Sequence, residues 1–476
     1  MKICIIGGGI SGLSAAYYLR QLQKDSEIQL LEASDRLGGS IETLQVPGGL
    51  LEKGAESLIT DKPAALELIR EIGLEEEIIA TNLQFRKSFI LHKNQLVTMP
   101  EGFYLLAPGK ISTFLKTPLL SWGGKLRAAM DMIIPRSHQD DESLGSFVRR
   151  RLGQEVLDRI AQPMVAGIYS GDPEQISLKA TMPQFLEMEE KYGSVICALK
   201  KRMKQHAAFH GAVSGPRYGL FVSLKTGLET LTRTLVSTIE TSVTLQTQCR
   251  VKAVRFDKDH WVIEREKGMP IHADAVVLAT PAYVTADLLA GFNREISDVL
   301  NKIPYANVGT INYLFKKEQI KHPLNGFGFV IPKKENKSFT ACTLSSVKYE
   351  GRADSAHVLL RAYFGGVFGE SSFELEDQVL AKTIEEELTS ILKIQGRCEK
   401  SVIARYPQRM PQYTLGHLER VADIQSRAKI FRRLYLIGSA YQGVGISDCI
   451  QDGRRCAEAI GNETTEMSRL EPKLRS

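Results

Sequence analysis

Several functional classes are excluded by what this chain lacks. Its 476 residues contain no uninterrupted apolar run of about 18, so no bilayer-spanning helix is expected. The N-terminal Met1-Lys2-Ile3-Cys4-Ile5-Ile6 runs straight into Gly7-Gly8-Gly9, without the apolar region and small-residue cleavage site of a secretory signal. Seven cysteines, an odd number with no CxxC pair and no zinc-type spacing, read as scattered reduced thiols in a cytosolic setting, and no metal site is expected. Tryptophan is scarce, at Trp122 and Trp261 only. There is no repeat of fixed period and no low-complexity tract. The charge excess is mild: 61 Lys+Arg against 55 Asp+Glu leaves +6, which fits anionic small molecules or an anionic membrane surface at least as well as nucleic acid. The compact basic runs are Lys200-Lys201-Arg202 and Arg149-Arg150-Arg151, too little for a nucleic-acid partner, and the second reads as a solvated helix face. With 43% hydrophobic and 24% charged residues the composition is ordinary globular, and the length allows two or three domains.

What is present begins with strand, glycine turn, helix, strand. Ile3–Ile6 is a short apolar strand, Leu13, Ala16, Tyr17 and Leu19 continue as a helix, and Ile28–Leu31 is a second strand, which makes one βαβ unit. From Arg86 to about Met188 the apolar spacing is helical: Leu144, Phe147, Val148, Leu152, Val156 and Ile160 recur every three or four residues, until Pro163 stops the run. Strand patterns return at Ala253–Phe256, Trp261–Glu264, Asp274–Leu278 and between Asn307 and Arg361. A helix follows over Asp377–Ile394, then a strand over Leu434–Ile437, a glycine turn, a helix over about Ser447–Ile460, and a polar, frayed tail from Asn462. The expected fold class is α/β, with one Rossmann-like domain assembled from the discontinuous segments 1–85, 219–290 and 430–465. A helical domain over 86–218 and a mixed-sheet substrate domain over 291–429 are inserted between them, and 466–476 is a tail.

Three motifs carry chemistry. Gly7-x-Gly9-x-x-Gly12 lies between the first strand and helix; such glycines allow a tight turn, backbone approach to a pyrophosphate and close helix–strand packing, with the phosphates on the helix N-terminus. Glu32 ends the second strand 20 residues past Gly12, where an acid receives ribose hydroxyls. The continuation Glu32-x-x-x-Arg36-x-Gly38-Gly39 resembles the extended motif of the glutathione-reductase-like FAD oxidoreductases, in which Arg36 would hold the loop or reach phosphate. Near the C-terminus, the strand Leu434–Ile437 ends at Gly438, and Gly443-Val444-Gly445-Ile446 opens a helix. That turn can set backbone N–H groups against a flavin. No second GxGxxG follows a strand, so a separate nicotinamide site is not expected, and O2 is the simplest acceptor for the reduced flavin.

Beyond these, the chain resembles the family of oxygen-dependent protoporphyrinogen oxidases of haem biosynthesis, which includes the bacterial coproporphyrinogen III oxidases. The blocks that carry the likeness are Gly7–Gly12, Gly54-Ala55-Glu56-Ser57, Asp141–Leu144 with Arg149–Arg151, Gly167-Ile168-Tyr169-Ser170-Gly171-Asp172, Gly326–Pro332, Pro411-Gln412-Tyr413 with Gly416-His417, and Tyr441–Gly445 with Asp448-Cys449. The resemblance implies an FAD-binding domain of the glutathione-reductase/amine-oxidase type. Motifs and resemblance together give the cofactor residues as Gly7, Gly9, Ser11, Gly12, Glu32, Ala33, Arg36, Gly38, Gly39, Ser40, Gly54, Ala55, Glu56, Ser57, Val251, Gly438, Val444, Gly445 and Ile446. It further implies that Phe327 stacks on or flanks a pyrrole, that Gly328 lets the macrocycle approach, and that Val330 is apolar wall. The chain departs from the family at Pro100-Glu101-Gly102, which is followed by Phe103–Leu106 with no cation before Lys110. Tyr104 or Lys110 are left as propionate candidates.

The implied reaction removes six hydrogens from a porphyrinogen in three rounds, with O2 reduced to H2O2. No general base and no other catalytic side chain is named, since neither a Ser-His-Asp set nor a carboxylate pair is visible. Protoporphyrinogen IX is put first as substrate because the cation-free Pro100–Leu106 segment suits fewer carboxylates; coproporphyrinogen III is the alternative. An amine oxidase or carotenoid desaturase on the same scaffold is a second enzyme reading, and a flavin-bearing scaffold that hands porphyrin onward is the non-enzyme reading. Expected partners are the porphyrinogen and O2, with an anionic membrane surface touched by Phe103–Trp122, a homodimer and handover to ferrochelatase left open. The expected location is cytoplasmic, peripheral on the inner face of the cell membrane.

Overall fold

The computed structural model describes residues 1–100, 103–104, 107–108, 111–137, 140–201 and 220–474, with the side chains of 103–104, 107–108, 111–113 and 464–474 left aside. Strand β1 (Lys2–Ile6) is apolar and buried after its first residue, as a strand with neighbours on both edges and cover on both faces must be. It pairs in parallel with β2 (Glu27–Leu31) on one side and Ala275–Leu278 on the other. Thr244–Gln246 and Leu434–Leu436 complete a five-stranded parallel sheet. One face is covered by α1 (Ile10–Leu22), the helix Glu229–Ile239 and the C-terminal helix Ile446–Leu474, through Leu13, Leu30, Leu235 and Ile450. Gly453 brings the C-terminal helix close to α1: a Cβ there would lie 2.8 Å from Ala15 N and Ser11 O. The other face carries Val254, Trp261 and Ile263 of a small antiparallel sheet, and the helices Ala282–Leu289, Arg294–Leu300 and His417–Ala428.

The second layer is a seven-stranded sheet in the order Lys400–Pro411, Tyr305–Lys316, His357–Gly365, Ala341–Leu344, Gly328–Val330, Ser88–His92, Gln95–Thr98. Its long strands alternate. Ile311, Tyr313, Phe315, Leu360, Ala362 and Phe364 enter an apolar core under the helix Asp377–Leu392. Thr310 and Asn312, on the opposite face, donate to Lys53 O at 2.7 Å and Glu52 O at 3.0 Å. The period of two therefore gives this sheet one apolar face and one polar face, and the polar face docks on the strand Gly49–Glu52 and its continuation to Gly54.

Several expectations are corrected. Ser88–His92 and Gln95–Thr98 belong to the seven-stranded sheet, not to the helical region expected from residue 86. Helices Arg294–Leu300 and His417–Ala428 pack on the parallel sheet, although they lie inside the 291–429 stretch. The C-terminal helix runs on to Leu474, through the expected tail. Pro163 does not stop a helix: helical backbone runs unbroken from Gln154 to Tyr169, and the proline, which cannot donate to the preceding turn, directly follows a π-turn over Leu157–Ala161 that adjusts the bonding there. The break comes earlier, at Gly153 with φ 94°.

Two residues of the arginine run, unlike the exposed Arg149, are also not on a solvated face. Arg151 is fully buried and pairs with Asp131 at 2.6 Å, while Arg150 pairs with Glu142 and Glu189, both at 2.7 Å. Asp131 also accepts from Ser194 Oγ and Ile196 N, so it ties three segments of the helical region together. Asp131→Ala removes the closer of two carboxylates beside the buried Arg151, the other being Glu189 at 3.4 Å, and should cost about 1.5–3 kcal/mol. The check is a clearly lower melting temperature of the purified protein, and an unchanged one would refute this role.

Candidate functional site

The glycine turn after β1 is shaped by contacts only glycine permits. Gly7 has φ 110°, and a Cβ on it would lie 2.6 Å from Ala279 O; a Cβ on Gly12 would lie 1.9 Å from Gly7 O. Gly9, by contrast, faces open space, so the turn presents bare backbone at the start of α1. Glu32 fixes this turn: Oε2 accepts from Gly8 N at 2.7 Å, and Oε1 accepts from Ser34 N and Ser34 Oγ, both at 2.8 Å. A carboxylate offers about four acceptor positions, which leaves one for a ligand hydroxyl. Arg36 holds the loop, donating to Gly39 O at 2.5 Å and Ile41 O at 2.7 Å and pairing with Glu229 at 3.4 Å. Gly38 N reaches Gly8 O at 2.8 Å, which draws the two glycine stretches together. From the C-terminal segment Gly438 N donates to Asp452 Oδ2 at 2.8 Å; burial raises that carboxyl to about 6.

These turns open into a cavity of about 740 Å³ that extends to the polar face of the seven-stranded sheet. This volume lies within the usual range of ligand sites. Of the expected cofactor residues, Gly7, Gly9, Ser11, Glu32, Ala33, Arg36, Gly38, Gly39, Ser40, Gly54, Ala55, Val251, Gly438, Val444 and Ile446 line it. The bare Gly9 cradle, the anchored Glu32 and a cavity lined from the glycine turns to the sheet face fit a dinucleotide laid across α1. Gly12 lies beneath the turn, Gly445 donates to Asp448 Oδ2 at 3.2 Å, and neither is on the wall. Glu56 and Ser57 are not wall residues either. Glu56 is buried against Ser345 Oγ and Lys348 Nζ, and Ser57 Oγ accepts from Lys348 and Tyr349, both at 2.8 Å. Burial would push the Glu56 carboxyl up, but Lys348, Arg361 and the Ser345 hydroxyl hold it below the ordinary value.

The expected substrate residues stand elsewhere. Phe327 is half-buried ahead of the strand Gly328–Val330, bonded through its backbone to Lys87 O, and is not on the cavity wall. Gly328 has φ 152°, and a Cβ would lie 2.2 Å from Cys342 O, so its bareness serves the neighbouring strand. Val330 sits one layer back, with Cγ1 3.6 Å from where a Gly167 Cβ would be, and Gly167 is the wall residue. Tyr104 and Lys110 lie outside the described side chains.

The residues that do line the far end include Gly167, Ile168, Thr310, Arg361, Tyr363, Tyr406 and Met410. Burial raises the phenols of Tyr363 and Tyr406, which keeps both protonated at neutral pH. The acids among the described wall residues are Glu32 and Asp35, both at the nucleotide end, and histidine and lysine are absent from that wall. Neither tryptophan lines the cavity: Trp261 is buried against Arg432 O at 3.0 Å and Trp122 is exposed. The far end therefore offers shape and fixed charge, not acid–base chemistry, and suits a reaction whose electrons go to a bound cofactor. Glu32→Ala removes a charged hydrogen-bond acceptor worth about 1.5–3 kcal/mol. FAD affinity should fall accordingly, roughly ten- to 150-fold by titration of flavin fluorescence; full retention would contradict the placement.

Comparison with known proteins agrees with this geometry. Residues 10–461 match the family model described as flavin containing amine oxidoreductase. The coproporphyrinogen III oxidase of Bacillus subtilis (strain 168) is 34% identical over 95% of this chain and 96% of its own length. That of Staphylococcus aureus is 33% identical over 96% and 98%. The chloroplastic protoporphyrinogen oxidase of Nicotiana tabacum is 26% identical over 96% and 84%. Among solved structures, one named as a protoporphyrinogen oxidase of Exiguobacterium sp. 255-15 superposes with a TM-score of 0.86 at 30% identity, over 97% of this chain and 99% of that one. Glycine turns, anchored acid, shared cavity and full-length similarity converge: the chain belongs to the FAD-dependent, flavin containing amine oxidoreductases, in the family of the coproporphyrinogen III oxidases.

Proposed function

We propose that this protein oxidises a porphyrinogen to the corresponding porphyrin in haem biosynthesis, with coproporphyrinogen III as the preferred substrate. One observation carries the reading: a single cavity joins the dinucleotide cradle to a far wall without histidine, lysine or acid among its described residues. FAD held by the glycine turns and Glu32 would supply the redox chemistry, accepting two electrons in each of three rounds. Six hydrogens leave the substrate in all, and three O2 become three H2O2. The chain's part is to hold and shield. Glu32 and Arg36 fix the cradle, Ile168, Val308 and Met410 give apolar surface to a flat ring, and the protonated tyrosines present hydroxyls that do not compete for protons. Pyrrole N–H protons pass to solvent at the cavity mouth.

Two considerations favour coproporphyrinogen over the protoporphyrinogen expected from sequence. Among the curated relatives, those at 30–34% identity are coproporphyrinogen III oxidases and the protoporphyrinogen oxidases stand at 26–27%, although the Exiguobacterium structure that carries the protoporphyrinogen name is also 30% identical. Arg409, exposed and part of the cavity wall, offers a cation for the additional carboxylates of a tetrapropionate. Side-by-side kinetics under air test both levels. A kcat/KM at least tenfold higher for coproporphyrinogen III is expected, about 1.4 kcal/mol of transition-state stabilisation. The reverse ratio would change the substrate, and no oxidation of either would end the reading.

A peripheral membrane contact belongs to the same proposal. Among the described residues no helix is long and apolar enough to cross a membrane. Trp122, Leu126 and Ile133 are at least 70% exposed, follow one another at near-helical spacing, and are flanked by exposed Lys116 and Arg136. The proposed contact thus reaches from Trp122 towards Ile133, and the side chains of 103–113 in the expected stretch Phe103–Trp122 lie outside those described. Leu126→Glu with Ile133→Glu should abolish co-sedimentation with anionic vesicles. Equal pelleting of wild type and variant, or no pelleting of wild type, refutes it.

A further inference from the structure

We infer that Arg361 is a fixed positive charge built into the cavity wall to favour negative charge on the flavin ring. Arg361 stands in the strand His357–Gly365, opposite Asn312 on one side and Thr343 on the other. Its Nη2 donates to Gly54 O and, at 3.4 Å, to Lys53 O, and the guanidinium lies 5.0 Å from the centre of the Tyr363 ring. Gly54, Arg361 and Tyr363 all belong to the cavity wall.

The charges beneath this wall do not balance. Glu52 is paired with Arg352 at 3.6 Å, and Glu56 with Lys348 at 3.2 Å. Arg361, only 1% exposed, makes no ion pair among the described residues, and its Nε and Nη1 have no hydrogen-bond partner. The group of five therefore holds three positive and two negative charges. Glu52 and Glu56 both feel the charge of Arg361, but each is already matched by its own cation, so one buried positive charge is left over and a compensating negative charge is expected nearby. The described wall residues supply none at this end, because Glu32 and Asp35 are at the other. The compensation must arrive with what the cavity binds.

The form of the site selects which ligand. Nε and Nη1 are covered, so a substrate carboxylate cannot take direct hydrogen bonds from them. A covered cation acts through space, which suits charge spread over a broad flat ring lying on the wall. The isoalloxazine becomes such a ring when it accepts a hydride: the substrate loses a hydride from carbon and a proton from a pyrrole N–H to solvent, and the ring keeps the negative charge. Positive charge beside the ring is one of the protein's means of tuning a flavin.

The test reads the ring itself. Arg361→Gln can keep the hydrogen bond to Gly54 O while removing the charge. In purified holoenzyme its affinity for sulfite, an anion that adds reversibly to oxidised flavin, should fall at least tenfold. The two-electron potential should drop by about 30 mV, the same factor converted. Arg361→Lys should restore most of both. Glu56→Gln, which removes a nearby negative charge, should shift both readouts the other way, so the inference stays testable if R361Q does not hold FAD. Unchanged sulfite affinity and potential in R361Q and E56Q would overturn it. So would an unchanged flavin with selective loss of affinity for coproporphyrin over its tetramethyl ester, which would assign the charge to a substrate carboxylate. The inference rests on the FAD assignment, whose failure would appear separately as a colourless wild type.

Discussion

The docking of the segment Glu52–Gly54 against the polar face of the seven-stranded sheet is the constraint on which the cavity depends. Thr310 and Asn312 donate to the carbonyls of Lys53 and Glu52, and Arg361 donates to Gly54 O. All three side chains are buried, so an unmade bond would leave a desolvated polar group worth about 1–3 kcal/mol. These bonds seat a chain segment from the nucleotide-binding unit on strands that lie more than 250 residues further along the sequence. Gly54 and Ala55 leave that seam directly into the cavity. The glycine turns could hold a dinucleotide without this seam, but the reactive end of the cofactor would then have no wall to face.

That seam also explains the chemical character of the far end. A sheet that presents threonine, asparagine, arginine and tyrosine on its docking face has spent its polar groups on backbone and on one fixed charge. What remains exposed to the cavity is apolar surface, protonated phenols and positive potential. Such a wall is poor at proton transfer and well suited to stabilising electron-rich flat rings.

How far the sequence revealed this depended on distance along the chain. Gly7–Gly12, Glu32 and Arg36–Gly39 were legible because turn, helix start and acid are local, and their spacing is set by one βαβ unit. Even there the partners were hidden: Arg36 serves carbonyls of its own loop and Glu229, and Glu32 is partly occupied by Gly8 and Ser34. The far wall was not legible from spacing, because Thr310, Arg361 and Tyr406 come from three strands aligned only by the sheet register. The period-two pattern of Tyr305–Lys316 was the signal that could have revealed a polar face. Phe327 and Gly328 show the converse: a pattern rich in glycine and aromatics reads as ligand wall when its neighbour is another strand. Arg150 and Arg151 read as solvated because Asp131 and Glu189 are not adjacent in sequence.

The central claim is that dinucleotide cradle and sheet face form one reaction space, in which a porphyrinogen meets the flavin. Mixing oxidised holoenzyme with coproporphyrinogen III under strict anaerobiosis tests it most directly. The account predicts that the flavin's visible absorbance bleaches in a saturable phase, with one porphyrin formed for every three flavins reduced. Flavin that stays oxidised with coproporphyrinogen and protoporphyrinogen, yet bleaches with a simple alkylamine, would contradict it.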